Sequence, residues 1–94
     1  MNAEKAIKKI IFSFLDLKRH RIFIFGSRAT GKARKFSDYD IGIIGKKPVP
    51  WRLMAQAKAS LEESRLPYRV DLIDFSLVSS GFRRAALLKI RSLR

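Results

Sequence analysis

Two aspartates, Asp38 and Asp40, lie one residue apart in a chain that holds only eight acidic residues. In an extended strand, residues i and i+2 project from the same face, roughly 7 Å apart, so both carboxylates point the same way. Like charges at this spacing repel each other, and each carboxylate loses hydration when it is buried. A divalent cation would offset this cost, and Mg²⁺ prefers oxygen ligands of this kind. The pair therefore indicates a candidate metal site.

The segment YRVDLID, residues 68–74, offers a third carboxylate. If it forms a strand beside the one that carries Asp38 and Asp40, strand alternation lets Asp71 join them. Asp74 would then face the other side, unless the strand ends or bulges there. With two metal ions, such carboxylates could hold the attacking and leaving oxygens of a phosphoryl transfer. A simpler alternative stays open, in which Asp38 caps a turn, Asp40 is solvated at a sheet edge and Asp71 pairs with a nearby arginine.

A glycine, a serine and a basic stretch stand between an apolar run and the aspartate pair. Gly26 lets the backbone approach a ligand closely and donate N–H groups to it. Ser27 adds a hydroxyl group, and Arg28 adds a planar fork of donors that suits phosphate oxygens. A turn alone would account for the Gly-Ser pair. The carboxylates that follow it favour a phosphate-binding site.

The elements that carry these residues are indicated by the periodicity of the apolar side chains. The pattern predicts helices at 3–17, at 50–65 and after Ser76, and strands at 21–25, 38–44 and 68–74. The inward stripe of the last helix would consist of Phe82, Ala85, Ala86, Ile90 and Leu93. The order α-β-β-α-β-α predicts an α/β or α+β fold, a small mixed sheet of about three strands packed against helices. We expect one domain over residues 1–94.

The composition limits the chemistry and the partners. The absence of cysteine and the presence of a single histidine exclude disulfides, thiolate metal sites and sites built from several imidazoles. The net charge of +13 predicts attraction to nucleic acid, to nucleotides or to an acidic protein. The N-terminal apolar run is short and contains Asp16, and no segment approaches the roughly 20 apolar residues of a membrane span. We therefore expect a cytoplasmic protein with no membrane partner.

The stretch GSRATGKARKFSDYD, residues 26–40, resembles the signature of the DNA polymerase β-type nucleotidyltransferases, in which Gly-Ser, a ten-residue spacer and Asp-x-Asp follow one another. The segment VDLID supplies Asp71 where that family has its third aspartate. The size of the chain is similar to that of the minimal nucleotidyltransferases, the MNT proteins of prokaryotes. The resemblance covers nearly the whole chain, and it implies the nucleotidyltransferase fold.

The resemblance also implies a role for each motif residue. Asp38 and Asp40 would hold one or two Mg²⁺ ions against a nucleoside triphosphate, and Asp71 would assist the metal that activates the acceptor hydroxyl. Gly26 and Ser27 would bind the phosphates. As pyrophosphate leaves, its charge would be neutralised by Arg28.

MNT proteins are typically encoded beside a helical HEPN-domain protein, a ribonuclease-like toxin, and act as its antitoxin. The resemblance therefore implies ATP as the donor and a hydroxyl of the HEPN toxin, a tyrosine, as the acceptor of AMP. One alternative is a non-catalytic antitoxin that neutralises the toxin by contact alone. Another is an RNA-binding or RNA-modifying protein, which the basic last helix suggests but which is disfavoured because most aromatic residues lie in apolar stripes. Assembly with itself or with the partner is compatible with the sequence.

Overall fold

The computed structural model describes residues 2–16 and 18–93. Along the chain its elements are α1 (Ala3–Phe12), β1 (His20–Phe25), α2 (Ser27–Thr30), β2 (Tyr39–Gly45), α3 (Trp51–Glu63), β3 (Val70–Asp74), α4 (Ser80–Leu87) and β4 (Arg91–Ser92). The strands form one sheet in the order β3-β2-β1-β4. Strand β1 is antiparallel to β2 and to β4, whereas β2 and β3 are parallel. The predicted mixed sheet packed against helices is confirmed.

The alternation of side chains along the strands gives the sheet two apolar faces. Helices α1 and α3 cover the first face through Ile7, Ile11, Ala57 and Leu61, which pack against Ile22, Ile24, Ile41, Ile43 and Leu72. On the second face, Phe23, Phe25 and Phe75 form an aromatic cluster with ring centroids 4.9 to 6.2 Å apart, and α4 packs against it. Asp40 and Asp71 lie on this second face, because they alternate with the buried residues of the first.

The first helix is shorter than the pattern over 3–17 predicts. It ends at Phe12, and the Ser13 hydroxyl donates a hydrogen bond of 2.6 Å to the carbonyl of Ile10. A serine that bonds back to the preceding turn competes with continuation of the helix. The remainder of the predicted helix includes Leu17, which lies outside the described residues.

Two elements were absent from the prediction. Helix α2 lies inside the predicted polar loop, and β4 pairs with β1, so the sheet has four strands within the described residues and not about three. The apolar stripe assigned to one last helix is divided, because α4 ends at Leu87 and the chain after it becomes extended. Ile90 packs against the aromatic cluster, whereas Leu93 is buried in the core of the first face.

The last helix, predicted to begin after Ser76, begins at Ser80. The boundaries of β1, β2, α3 and β3 move by one or two residues, within the range over which helix and strand ends commonly vary. Strand β1 begins at His20, β2 covers Tyr39–Gly45, α3 covers Trp51–Glu63 and β3 begins at Val70. Within the residues that the structure describes, no helix is long and apolar enough to cross a bilayer.

Candidate active site

Asp40 and Asp71 lie side by side, because β2 and β3 are parallel neighbours whose register pairs these two residues. On the other side of β2, Asp40 is paired with Phe25, the last residue of β1. Gly26 directly follows Phe25, so the glycine loop and the two aspartates meet at one end of the sheet. The condition under which Asp71 was expected to join Asp40, that the second and third predicted strands are neighbours, is therefore met.

Gly26 occupies a backbone conformation that side chains rarely tolerate, with φ of 71° and ψ of −152°. A Cβ atom at this position would lie 2.3 Å from Oδ2 of Asp40. The chain therefore requires glycine here for two reasons, the positive φ and the close approach of the carboxylate. The loop that begins at Gly26 continues as α2, whose first amides have no acceptor within the helix.

The pKa of Asp40 is raised above its ordinary value, first because the carboxyl group is partly buried and then because Asp71 and Asp38 place negative charge nearby. Asp40 lies on an inner strand of the sheet, between β1 and β3. The alternative in which Asp40 is solvated at a sheet edge is therefore wrong. Asp38 precedes β2 and is exposed, so it approaches Asp40 from the solvent side.

Asp71 pairs with an arginine, as the simpler alternative expected. Its Oδ1 lies 3.4 Å from Nε of Arg69, whose side chain is 76% exposed. A pair so open to solvent contributes roughly 0–1 kcal/mol, so a cation could draw the carboxylate away from it at little cost. Among the described residues, no group of three histidine, cysteine, aspartate or glutamate side chains is close enough to hold a metal ion. The three aspartates thus share one end of the sheet without forming a closed cage.

The guanidinium group of Arg28 bonds to protein atoms. Its Nε and Nη2 donate to the carbonyl of Ser37 at 3.1 and 2.8 Å. The group also lies against two tyrosine rings that contact each other, 4.0 Å from the centroid of Tyr39 and 4.8 Å from that of Tyr68. Arg28 therefore connects α2 to the backbone that precedes Asp38. Its contact with departing pyrophosphate stays a prediction.

Strand alternation places Tyr39 on the face opposite to Asp38 and Asp40. The Arg28 guanidinium group, which stacks on Tyr39, thus lies on that opposite side. No contact of Arg28 with either tyrosine was predicted from the sequence. A signal for one of them was present, because Tyr39 stands between the two aspartates and must point away from them.

Asp74 has a structural role. The side chain is buried, and its Oδ2 accepts a hydrogen bond of 2.8 Å from the Val49 amide. Its Oδ1 accepts from the amide and hydroxyl of Ser76 at 3.0 and 2.6 Å. These bonds join the end of β3 to the connection between β2 and α3, which explains why this aspartate does not face Asp71.

Two exposed aromatic residues lie beside cations. The ring of Phe36 is 5.5 Å from the ammonium group of Lys35, and the ring of Trp51 is 5.5 Å from the guanidinium group of Arg52. The sequence predicts that most aromatic residues lie in apolar stripes, and these two residues, which are 69% and 74% exposed, are exceptions. The cluster of Phe23, Phe25 and Phe75 follows the expectation, since all of its members are buried.

Comparisons with known proteins agree with this geometry. The family model described as polymerase beta nucleotidyltransferase matches residues 5–93. Over 80 residues, which are 85% of this chain and 69% of the relative, the sequence is 41% identical to the probable protein adenylyltransferase MntA of Haemophilus influenzae.

Solved structures share the fold. A toxin–antitoxin crystal structure with AMP-PNP contains a chain that aligns with a TM-score of 0.70 and 23% identity, over 99% of this chain and 73% of the other. A second match, with a TM-score of 0.61 and 21% identity, covers 97% of this chain and 68% of the other. It comes from the structure of a tri-AMPylated HEPN toxin of Shewanella oneidensis in complex with its MNT antitoxin.

Proposed function

The chain belongs to the polymerase beta nucleotidyltransferase family, and from this premise we propose that it transfers AMP from ATP to a tyrosine hydroxyl of a HEPN-domain toxin and thereby acts as its antitoxin. The observation that carries the proposal is the pairing of Asp40 with Asp71 in register beside the Gly26 loop. This arrangement brings the Gly26 loop and a group of carboxylates to the same end of the sheet, which suits the binding of a nucleoside triphosphate. ATP and such a partner occur together in the cytoplasm, where we propose that the chain acts.

Asp38, Asp40 and Asp71 are the residues that would hold Mg²⁺. Their chemistry suits this ion, because all their donors are oxygens and because the pKa of Asp40 is raised by burial and by its two acidic neighbours, an unfavourable state that a cation offsets. The three carboxylates would have to draw closer together around the ion than they lie in the structure. The bound ion would neutralise the charge of the triphosphate and of the departing pyrophosphate. One or two Mg²⁺ ions would bind to these carboxylates, and calorimetric titration gives their number.

The chain's own residues supply positioning. Gly26 and Ser27 would bind the phosphates through the amides at the start of α2. The acceptor oxygen forms a bond to the α-phosphorus, the bond from the α-phosphorus to the oxygen shared with the β-phosphate breaks, and pyrophosphate leaves with those electrons. The acceptor proton is released to water. Catalysis then depends on alignment and on charge neutralisation, without a covalent nucleophile from the chain.

The named relatives support the identity of donor and acceptor. The Haemophilus influenzae relative is named a probable protein adenylyltransferase, and the Shewanella oneidensis complex contains an AMPylated HEPN toxin with its MNT antitoxin. The net charge of +13 suits an acidic partner surface and the triphosphate. On this basis the partner forms a hetero-oligomer with the chain.

The test is to incubate the protein with Mg-ATP and a HEPN-domain protein encoded beside it, and to measure the intact mass of both. We expect an AMP adduct on a tyrosine of the partner. The double variant D38N/D40N should form none, and the matched control D16N, which changes an exposed carboxylate near the opposite end of β1, should behave like the wild type. Calorimetric titration of Mg²⁺ into the wild type and into D38N/D40N gives the number of ions that these carboxylates bind.

Other outcomes identify the alternatives. Tight binding and toxin neutralisation by D38N/D40N, without any adduct in the wild type, would establish an antitoxin that acts by contact alone. Base-selective RNA binding that weakens steeply with salt would instead support the RNA-binding alternative. The exposed rings of Phe36 and Trp51 are the reason to test it.

A further inference from the structure

Strand β3 lies at the end of the sheet. It pairs with β2 on one side, and in the described part of the chain no strand pairs with its outer side. An edge strand offers a row of N–H and C=O groups to which another polypeptide can add as a strand. Asp71, which supplies the third carboxylate of the candidate site, lies on this edge strand.

The backbone hydrogen bonds at the two ends of β3 determine which groups face outward. The carbonyl of Arg69 accepts from β2, and the amide of Phe75 donates to β2, each at 2.9 Å. Since alternate residues of a strand bond to the same neighbour, Asp71 also directs its backbone toward β2. Val70 and Leu72 therefore direct their N–H and C=O groups toward the open edge.

A groove of about 420 Å³ runs along this edge, between β3 and the end of α3. Its apolar surface includes Leu61 and Leu66, and Lys58, Glu62 and Arg69 contribute charges of both signs at its rim. Asp71 also lines the groove, which is therefore continuous with the candidate active site. The groove thus provides backbone partners, apolar contacts and access to the carboxylates in one place.

We propose that the acceptor polypeptide binds in this groove as an extended strand paired with the outer edge of β3, so that its hydroxyl-bearing side chain lies beside Asp71. A strand added there runs about 4.8 Å from β3, and its residue opposite Asp71 projects from the same face as the carboxylates. Lys58 favours one acidic residue in the acceptor segment, whereas Arg69 is already paired with Asp71 and Glu62 would repel a second acidic residue. This inference rests on the proposed transfer of AMP to a protein.

The first test uses a synthetic peptide of about seven residues, with one tyrosine and one acidic residue, as the acceptor. A set of peptides, each with a single N-methyl group on a different amide, is compared by the rate of AMP incorporation at limiting peptide. Strand pairing predicts an alternating pattern, in which methylation of every second amide lowers kcat/KM about tenfold and methylation of the others has little effect. A uniform response along the peptide would overturn the proposal.

The second test changes the edge of the protein. Val70→Pro removes an outward N–H without removing a bond to β2, which proline tolerates on an edge strand. The matched control is Val70→Ala, which keeps the N–H and loses side-chain packing. We expect V70P to raise the KM for the peptide about tenfold relative to V70A, while both variants bind ATP like the wild type. Equal KM values would contradict strand addition.

The third test measures peptide binding and does not require AMP transfer. Saturation with the same peptide should slow amide hydrogen exchange at Val70 and Leu72 in the wild type and in D38N/D40N, as measured by NMR. The intact partner could receive AMP although the peptide does not protect these amides and the methylated peptides all react alike. That result would overturn the proposed acceptor groove and leave the proposed function standing. Absence of AMP transfer to any protein would overturn both. A dimer that forms without peptide and protects the same amides would assign the edge to a second copy of the chain.

Discussion

Gly26 and Asp40 approach each other so closely that a Cβ atom on Gly26 would lie 2.3 Å from Oδ2 of Asp40. The two halves of the sequence motif are therefore joined by a direct packing constraint. Phe25, which precedes the glycine, is paired in register with Asp40, so the sheet itself fixes the distance between loop and carboxylate. The loop cannot acquire a side chain at this point without displacing the aspartate.

Replacement of Gly26 by alanine should remove most of the AMP-transfer activity. The new methyl group would push Asp40 out of place, and misplacement by about 1 Å can lower a rate by about 100-fold. Alanine would also hold an unfavourable φ near 71°, at a cost of about 1 to 3 kcal/mol in the free energy of unfolding. AMP transfer and urea denaturation measure the two effects.

Gly31 provides the matched control, because it also has a positive φ, 79°, but its added Cβ would meet nothing within 4 Å. We expect G31A to lose about 1 to 2 kcal/mol of stability while it retains activity at a temperature where it is folded. Equal loss of activity in G26A and G31A would show that the contact with Asp40 is unimportant.

The raised pKa of Asp40 predicts that Asp40→Asn stabilises the protein at neutral pH. Because the folded state binds this proton more tightly than the unfolded state, wild-type stability falls as the pH rises above the ordinary value of 3.8. The asparagine variant lacks this loss. Its melting temperature should exceed that of the wild type at pH 7, and the difference should disappear at pH 3 and below. Thermal denaturation across this range is the measurement.

The same variant tests the metal proposal. Mg²⁺ should raise the melting temperature of the wild type at pH 7, because it binds only to the folded arrangement of carboxylates. D40N should gain much less, and D16N should gain as much as the wild type. Equal stabilisation of all three proteins would place the ion elsewhere.

Substitution of Arg28 distinguishes positioning from phosphate binding. Its bonds to Ser37 and its contact with the Tyr39 ring tie α2 to the segment that leads into Asp38. If this is its role, R28A should lower kcat about tenfold or more and change the KM for ATP little. R28K should recover only part of the loss, since lysine lacks the planar fork.

The nearby exposed residue Lys32 supplies the control for charge, and K32A should leave kcat within about twofold of the wild type. A large rise in the KM for ATP in R28A, with kcat unchanged, would instead support direct contact between Arg28 and the phosphates. Steady-state kinetics at varied ATP concentration separates these outcomes.

The carboxylate arrangement could be predicted because it depends on short-range geometry. The alternation within a strand places Asp38 and Asp40 on one face, and a single further condition, the pairing of β2 with β3, brings Asp71 beside Asp40. The same rule separates Asp74 from them. A signature of fixed spacing added the loop, whose glycine the structure explains through its φ and its neighbour.

The features that were missed depend on contacts between distant parts of the chain. Strand β4 has only two residues, too few for any periodicity, and it exists because it pairs with Phe23 and Ile24. The stacking of Arg28 on Tyr68 joins segments 40 residues apart in sequence, and no local pattern indicates it. The predicted last helix is too long because the apolar stripe continues through Ile90, in residues that are no longer helical.

The ion pair between Glu4 and Arg91 predicts a pH dependence of stability that is opposite in sign to the one predicted for Asp40. The guanidinium group donates two hydrogen bonds to the Glu4 carboxylate, at 2.7 and 2.9 Å, and connects the start of α1 to β4. This bonding lowers the pKa of Glu4 below its ordinary value of 4.5. The stabilisation is therefore complete above pH 4.5 and is lost as the pH falls through the lowered pKa.

Glu4→Gln should therefore lower the free energy of unfolding by about 1 kcal/mol at pH 7 and have little effect at pH 2. Glu4 also lies in the first turn of α1, where a negative charge is favourable, so the single variant combines two effects. A double-mutant cycle with R91Q isolates the pair, and E63Q, at the exposed end of α3, is the control for loss of a surface carboxylate. A coupling energy near zero at pH 7 and low salt would show that the pair does not anchor β4 to α1.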